Sequence, residues 1–223
     1  MRNLFRTLPM SLSGVILGIT LAAADYRVDW KVAMFLLLAV TFLHMYSISS
    51  KENQDNRLSG ISLVLTIVSG LAMLYFSFGT LLLMEPLILM VFGYMIIRAV
   101  KHTNFISRGK GIVYVYALFG LLGVMGSYYV CSHSFGGWPM VFPALSMGFL
   151  SVSAKADDDK TIFRFVMNVS GWAAMIAYAC LRMFDPWHFL FVASLPVFFL
   201  KKPQWPPFAF AVLTGLGFLA FLL

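Results

Sequence analysis

The sequence predicts an all-α membrane protein, a polytopic bundle of about nine transmembrane helices, and three observations predict it. Hydrophobic residues make up 61% of the 223 residues and charged residues only 11%, too few to cover the surface of a soluble domain. The apolar runs are roughly 16 to 20 residues long and lack the alternation of barrel strands. Clusters of charged residues separate these runs. Helices satisfy backbone polar groups in hydrocarbon, so a helical bundle is the expected solution.

The predicted spans form a single transmembrane domain over residues 1–223. They run over Pro9–Ala24, Lys31–Ser49, Ser59–Phe78, Thr80–Arg98, Gly111–Val130, Trp138–Ser153, Ile162–Arg182, Trp187–Leu200 and Pro206–Leu223. Several are short for a hydrocarbon core of about 30 Å, so we expect polar ends that snorkel or a bilayer that thins locally.

Lysine and arginine are divided unevenly between the two sides of the predicted bundle. Of the 16 basic residues, only Arg27, Lys31 and Arg182 fall on the side opposite the N-terminus. The positive-inside rule therefore predicts a cytoplasmic N-terminus, and an odd number of spans places the C-terminus outside. This topology explains the net charge of +7, and nothing in the pattern indicates nucleic-acid binding.

Three polar loops on the predicted cytoplasmic side could carry chemistry. Acidic loops at one membrane face suit Mg²⁺, and a basic loop between them suits a phosphate, so together they fit a lipid diphosphate. The simpler interpretation is that these charges anchor the topology and form soluble loops. The candidate metal ligands are Glu52, Asp55, Asp157, Asp158 and Asp159, and the candidate diphosphate ligands are Lys101, Arg108 and Lys110.

Two titratable residues lie inside predicted spans. Glu85, followed by Pro86, is an intramembrane carboxylate, which is costly and usually has a partner or a pathway; the alternative is that it snorkels to the outer face. His44 lies in the second span, where a packing role competes with a role as ligand. The two form a possible intramembrane polar site.

Small and aromatic residues give further expectations about surfaces. Tyr128, Tyr129 and Trp138 are typical of an outer aromatic belt. Small residues allow membrane helices to approach closely, either inside the bundle or at a face that docks another protein. The candidate docking faces are Gly14/Gly18, Gly120/Gly123 and Gly215/Gly217.

Several stretches of the chain resemble a known family. They are the entry into the first span, residues 6–18 (RTLPMSLSGVILG), residues 117–129 of the fifth span (ALFGLLGVMGSYY), and residues 186–191 and 194–198 of the eighth. With nine helices and polar loops after spans two, four and six, the chain is similar to the UbiA superfamily of intramembrane prenyltransferases. Within it, the chain most resembles the 1,4-dihydroxy-2-naphthoate polyprenyltransferases of menaquinone synthesis.

The resemblance implies an enzyme of the bacterial cytoplasmic (inner) membrane that joins an isoprenoid diphosphate to an aromatic acceptor. In that family, two aspartate-rich loops hold the Mg²⁺ that draws off the diphosphate. Here Lys51 takes the place of the first motif's asparagine, and Glu52 and Asp55 take those of its first two aspartates. The third has no counterpart. Gly109-Lys110 replaces a glycine-aspartate pair, and the second motif has shrunk to Lys155–Lys160.

These departures favour a chain that keeps the scaffold and has lost the metal site, because Mg²⁺ needs several converging oxygen ligands. The predicted function is a non-catalytic module that binds lipid or quinone, or a structural subunit of a membrane complex, with no cofactor. The expected partners are membrane lipid, an isoprenoid or quinone, and other membrane protein subunits. The alternatives are an active, divergent prenyltransferase that uses Mg²⁺ and a small transporter. An enzyme needs a polar cytoplasmic funnel, whereas a structural subunit can be a closed bundle.

Overall fold

The computed structural model describes residues 2–52, 56–78, 115–156, 161–182, 186–199 and 205–220. All regular structure in these residues is helical, which confirms the all-α prediction. The α-helices are α1 (Arg2–Asp25), α2 (Trp30–Glu52), α3 (Asn56–Phe78), α4 (Ser127–Ser132), α5 (Val141–Lys155), α6 (Thr161–Leu181) and α7 (Trp205–Ala220). A π-helix, Ala117–Gly126, precedes α4, a 3₁₀ turn, Trp138–Met140, precedes α5, and a long 3₁₀ helix, Pro186–Phe199, precedes α7.

Four helices of the described part are long and apolar enough to cross a membrane. They cover Leu8–Asp25, Trp30–Ser49, Arg57–Ser77 and Thr161–Leu181. The shorter apolar helices cover Ala117–Ser132, Trp187–Phe198 and Trp205–Ala220. The membrane character predicted from composition is therefore present in the helices themselves. The predicted span Thr80–Arg98 lies outside the described residues.

The chain divides into two compact units. Unit 1 comprises Met1–Leu8 and Asp29–Gly111, and unit 2 comprises Pro9–Val28 and Ile112–Leu223. In unit 1, α2 and α3 pack against each other as an antiparallel pair. The ring of Phe35, near the start of α2, stacks on that of Phe76, near the end of α3, with centroids 5.5 Å apart.

In unit 2, α1 and the π-helix run in the same direction and α5 runs against them. Met10 packs with Val115 near the start of both helices, and Asp25 meets Tyr128 near the end of both. The Tyr116 ring lies 5.3 Å from that of Phe149, near the end of α5. We call the two ends of unit 2 the Met10 end and the Asp25 end.

The remaining helices of unit 2 continue this alternation. Helix α6 runs against α5, because Ser153 bonds Arg164 near the Met10 end while Tyr178 bonds Met140 near the Asp25 end. The long 3₁₀ helix then returns toward the Met10 end, and α7 runs back beside it. At about 2.0 Å per residue, the 14 residues of the 3₁₀ helix extend about 28 Å. An α-helix of 14 residues would extend only about 21 Å. The larger rise per residue of the 3₁₀ helix therefore lets the short predicted eighth span cover a greater distance.

An aromatic cluster fills the space between α6, the 3₁₀ helix and α7. The Trp172 ring makes edge-to-face contacts with three phenylalanines at centroid distances of 5.2 to 5.6 Å. These are Phe191, Phe198 and Phe210. Such geometry places the positive ring edges of one residue against the negative faces of the others and adds to their packing.

The paired glycines face the interior of unit 2, so their proposed role as docking faces is wrong. A Cβ on Gly14 would collide with the backbone oxygen of Phe119, and one on Gly120 with that of Ala144. A Cβ on Gly18, Gly215 or Gly217 would likewise collide with atoms of unit 2, and one on Gly123 would lie 3.3 Å from the backbone oxygen of Leu118. The alternative considered from the sequence, close packing inside the bundle, is the one that the structure supports.

Candidate functional site

Most of the predicted metal and diphosphate ligands lie outside the described residues, namely Asp55, Lys101, Arg108, Lys110, Asp157, Asp158 and Asp159. Glu85 of the possible intramembrane polar site lies outside them as well. Glu52 is the last residue of α2, and His44 is partly buried within the same helix. Among the residues that the structure describes, no three His, Cys, Asp or Glu side chains come close enough to hold a metal ion. The predicted ligand set stays a prediction.

The strongest polar cluster of the described residues lies at the Asp25 end. Asp25 is the last residue of α1, and 13% of its side chain is exposed. One carboxylate oxygen, Oδ1, accepts an ion-pair contact from Nη2 of Arg182, directly after α6. The other oxygen, Oδ2, accepts a hydrogen bond of 2.7 Å from the hydroxyl of Tyr128 in α4. One carboxylate thus joins the ends of three helices.

Aromatic rings surround this carboxylate. The Tyr128 side chain is buried, and its ring packs edge-on against that of Tyr26 at 6.3 Å. The guanidinium carbon of Arg182 lies 5.9 Å from the Tyr178 ring centroid, within the range of a cation–π contact. Burial of Tyr128 means that the prediction of an outer belt is wrong for this residue, whereas Trp138 is exposed at the same end.

The cluster is built to hold structure rather than to transfer protons. Both oxygens of Asp25 are engaged, one by a guanidinium and the other by a phenol. Arginine stays protonated and has no acceptor atom. A carboxylate held in this way has its charge neutralised and its lone pairs directed at fixed donors, so it is a poor candidate for a general base.

The Met10 end, in contrast, contains a buried apolar cluster. Met10 lies two turns inside α1, Val115 lies just before the π-helix, and Val152 lies near the end of α5. The side chains packed around them are Tyr116, Phe119, Ala154, Phe163 and Met167. The members of this cluster that the structure describes include no carboxylate and no cation.

Short connections join the helices where the polar loops were predicted. Helix α2 continues through Glu52 and α3 begins at Asn56, so only residues 53–55 lie between them. Helix α5 ends at Lys155 and α6 begins at Thr161, with residues 156–160 between them. The Ser153 hydroxyl donates a hydrogen bond of 3.2 Å to the Arg164 carbonyl oxygen across this connection.

Sequence reasoning missed the role of Asp25 because the residue directly follows the predicted span Pro9–Ala24 and so counted as a loop residue. One signal could have found it. In the predicted topology the first, fifth and seventh spans end on the same face, and Asp25 and Arg182 are the charged residues at the ends of the first and the seventh.

No protein-family model, curated protein or solved structure matches the chain.

Proposed function

We propose that this chain is a multi-pass protein of the bacterial cytoplasmic membrane with a UbiA-like scaffold that does not carry out Mg²⁺-dependent prenyl transfer. It acts as a non-catalytic module that binds a lipid or quinone, or as a structural subunit of a membrane complex. The observation that carries the proposal is the buried apolar cluster of Met10, Val115 and Val152 at the Met10 end. In the proposed topology this end faces the cytoplasm, where a prenyltransferase would need a polar funnel for the diphosphate.

The sequence departures point the same way. Lys51 places a cation where the family's motif has a neutral amide, and the third aspartate has no counterpart. The connection between α2 and α3 is only three residues long, which leaves little chain to bend carboxylates around an octahedral ion. Loss of ligands and loss of loop length therefore accompany each other.

The proposed topology has nine spans with the N-terminus in the cytoplasm. Helices α2 and α3 are two of the four described helices that are long and apolar enough to cross a membrane. The predicted span Thr80–Arg98 lies outside the described residues. Lys155 and Arg164 lie toward the Met10 end, in agreement with a cytoplasmic position.

The decisive experiment is a prenyl-transfer assay with purified protein in lipid. We expect no product from an isoprenoid diphosphate, 1,4-dihydroxy-2-naphthoate and Mg²⁺, while an active aromatic prenyltransferase in the same lipid gives product. Mg²⁺-dependent turnover that disappears in Glu52→Ala or Asp55→Ala would reject the proposal and establish the enzymatic alternative.

A second experiment asks what the scaffold binds. After extraction in a gentle detergent and affinity purification, the bound lipids are extracted and identified by mass spectrometry. We expect either quinone enriched above its share of the membrane or a stoichiometric protein companion. A monodisperse monomer with neither would contradict both forms of the non-catalytic function.

A further inference from the structure

The polar cluster at the Asp25 end ties together parts of the chain that are far apart in sequence. Asp25 and Tyr128 are 103 residues apart, yet their side chains share a hydrogen bond. Arg182 reaches the same carboxylate from the end of α6. An ion pair that joins separate helices, with a third group on the remaining oxygen, can fix how those helices end relative to one another.

The segment after α4 is folded back onto this cluster by local geometry. His133 has φ of 56°, and Gly136 and Gly137 have φ of 66° and 72°, so the chain turns sharply three times. The hydroxyl of Tyr26 lies 3.4 Å from that of Ser134. A Cβ on Gly136 would lie 2.9 Å from the Tyr128 ring, so the turn packs directly on that side chain.

Cys131 lies within the same small region. It follows Tyr128 by three residues in α4, which continues the π-helix without a break, and only 6% of it is exposed. The bond from the buried Tyr128 to Asp25 joins this end of the continuous helix Ala117–Ser132 to α1.

We propose that Asp25, Tyr128 and Arg182 form a clamp that keeps the Asp25 end of unit 2 closed, and that Cys131 is shielded from aqueous reagents only while this clamp is intact. Removal of Arg182 leaves the Asp25 carboxylate poorly hydrated and without its counter-charge. Such a group is strongly destabilising, and water entry relieves it. Water that enters beside the Tyr128 side chain reaches the helical turn that also carries Cys131.

The two arms of the ion pair are not equivalent. The Arg182 side chain is 38% exposed against 13% for Asp25. An unpaired Arg182 can therefore reach water without opening the cluster, whereas an unpaired Asp25 cannot. Loss of Arg182 is expected to open the clamp more than loss of the Asp25 charge.

The test measures the reaction of Cys131 with a hydrophilic maleimide in full-length protein purified in mild detergent, where both faces are accessible whatever the topology. All variants are made in protein that carries Cys180→Ser, because the chain has two cysteines and the exposed Cys180 would also be labelled. We expect Arg182→Gln to raise the labelling rate by at least about tenfold, equivalent to about 1.4 kcal/mol in the opening equilibrium. Asp25→Asn gives a smaller rise, and Arg182→Lys, which keeps the charge, stays within about threefold of the parent.

Arg27→Gln is the matched control, since Arg27 is an exposed arginine two residues from Asp25. Its labelling rate should equal that of the parent. Unchanged labelling of Cys131 in both Arg182→Gln and Asp25→Asn would overturn the proposal. An equal rise in Arg27→Gln or Arg182→Lys would also overturn it, because it would indicate general loosening rather than loss of a specific ion pair. If Arg182→Gln does not accumulate, Asp25→Asn against Arg27→Gln makes the same comparison.

Discussion

The contact between α1 and the π-helix depends on Gly18, and replacing it with alanine tests the packing of unit 2. A Cβ at this position would collide with the backbone oxygen of Val124 and lie 2.7 Å from the Ser127 Cβ, about 0.7 Å short of ordinary contact. It would also lie 3.1 Å from the Tyr128 backbone nitrogen. Backbone atoms cannot move aside as side chains do, so the two helices must separate.

The magnitude follows from two opposing effects. Overpacking a filled site costs about 1–3 kcal/mol, and contacts with backbone place Gly18→Ala in the upper half of that range. Alanine in a helix gains about 0.5–1 kcal/mol over glycine. The net loss in the free energy of unfolding is therefore about 1–2.5 kcal/mol, which lowers Tm by about 2–10 °C for a chain of this size.

Gly126→Ala is the matched control, because nothing lies within 4 Å of a Cβ built on Gly126 and its backbone is right-handed helical. This substitution should leave Tm unchanged or raise it by a few degrees, at about 2–4 °C per kcal/mol. Thermal unfolding of both purified variants in the same detergent measures the difference. If Gly18→Ala unfolds at or above the temperature of Gly126→Ala, the close approach of α1 to the π-helix is refuted.

Two further predictions concern the aromatic cluster and the topology. Trp172→Ala removes three edge-to-face pairs worth about 0.5–1.5 kcal/mol each, so it should lower the free energy of unfolding by about 1.5–4.5 kcal/mol. The exposed Trp138 makes one such pair, with Phe142 at 5.7 Å, so Trp138→Ala should lower it by no more than about 1.5 kcal/mol, and equal losses for both would contradict the cluster. Single-cysteine labelling of intact cells should place residues 51–57, 98–110 and 155–160 in the cytoplasm and residue 223 outside. Any two of these three loops on opposite faces would remove the proposed topology.

The class of fold could be predicted because it depends on composition and on the length of apolar runs, and both are read directly from the sequence. Composition excludes a soluble domain, and the length of apolar runs distinguishes helices from strands. Two predicted span ends were also accurate: α3 ends at Phe78, as predicted, and α6 ends at Leu181, one residue before the predicted Arg182. The type of helix could not be predicted. The apolar run that begins at Trp187 has apolar residues on every side, so its hydrophobic periodicity is too weak to distinguish a 3₁₀ helix from an α-helix.

The candidate site was harder to predict, since it depends on which helix ends meet. Tyr128 looked like a belt residue because it lies near the end of an apolar run, and only its contact with Asp25 reveals the buried role. The same ambiguity applied to Gly14 and Gly18. A small residue permits close approach, but the sequence does not identify the helix that approaches. The roles of Tyr128, Gly14 and Gly18 are set by contacts with residues far away in the sequence, and the sequence alone does not state these contacts.

The two ends of unit 2 differ in the side chains that they bury. The described part of unit 2 has an apolar cluster at the Met10 end and its best-formed charged network, Asp25 with Arg182, at the other. That network is internally neutralised, and a buried ion pair is costly unless its partners stay together. Because the Asp25 carboxylate also accepts the hydrogen bond from Tyr128, this one group fixes the ends of α1, α4 and α6 relative to one another, and loss of either charge should loosen all three together.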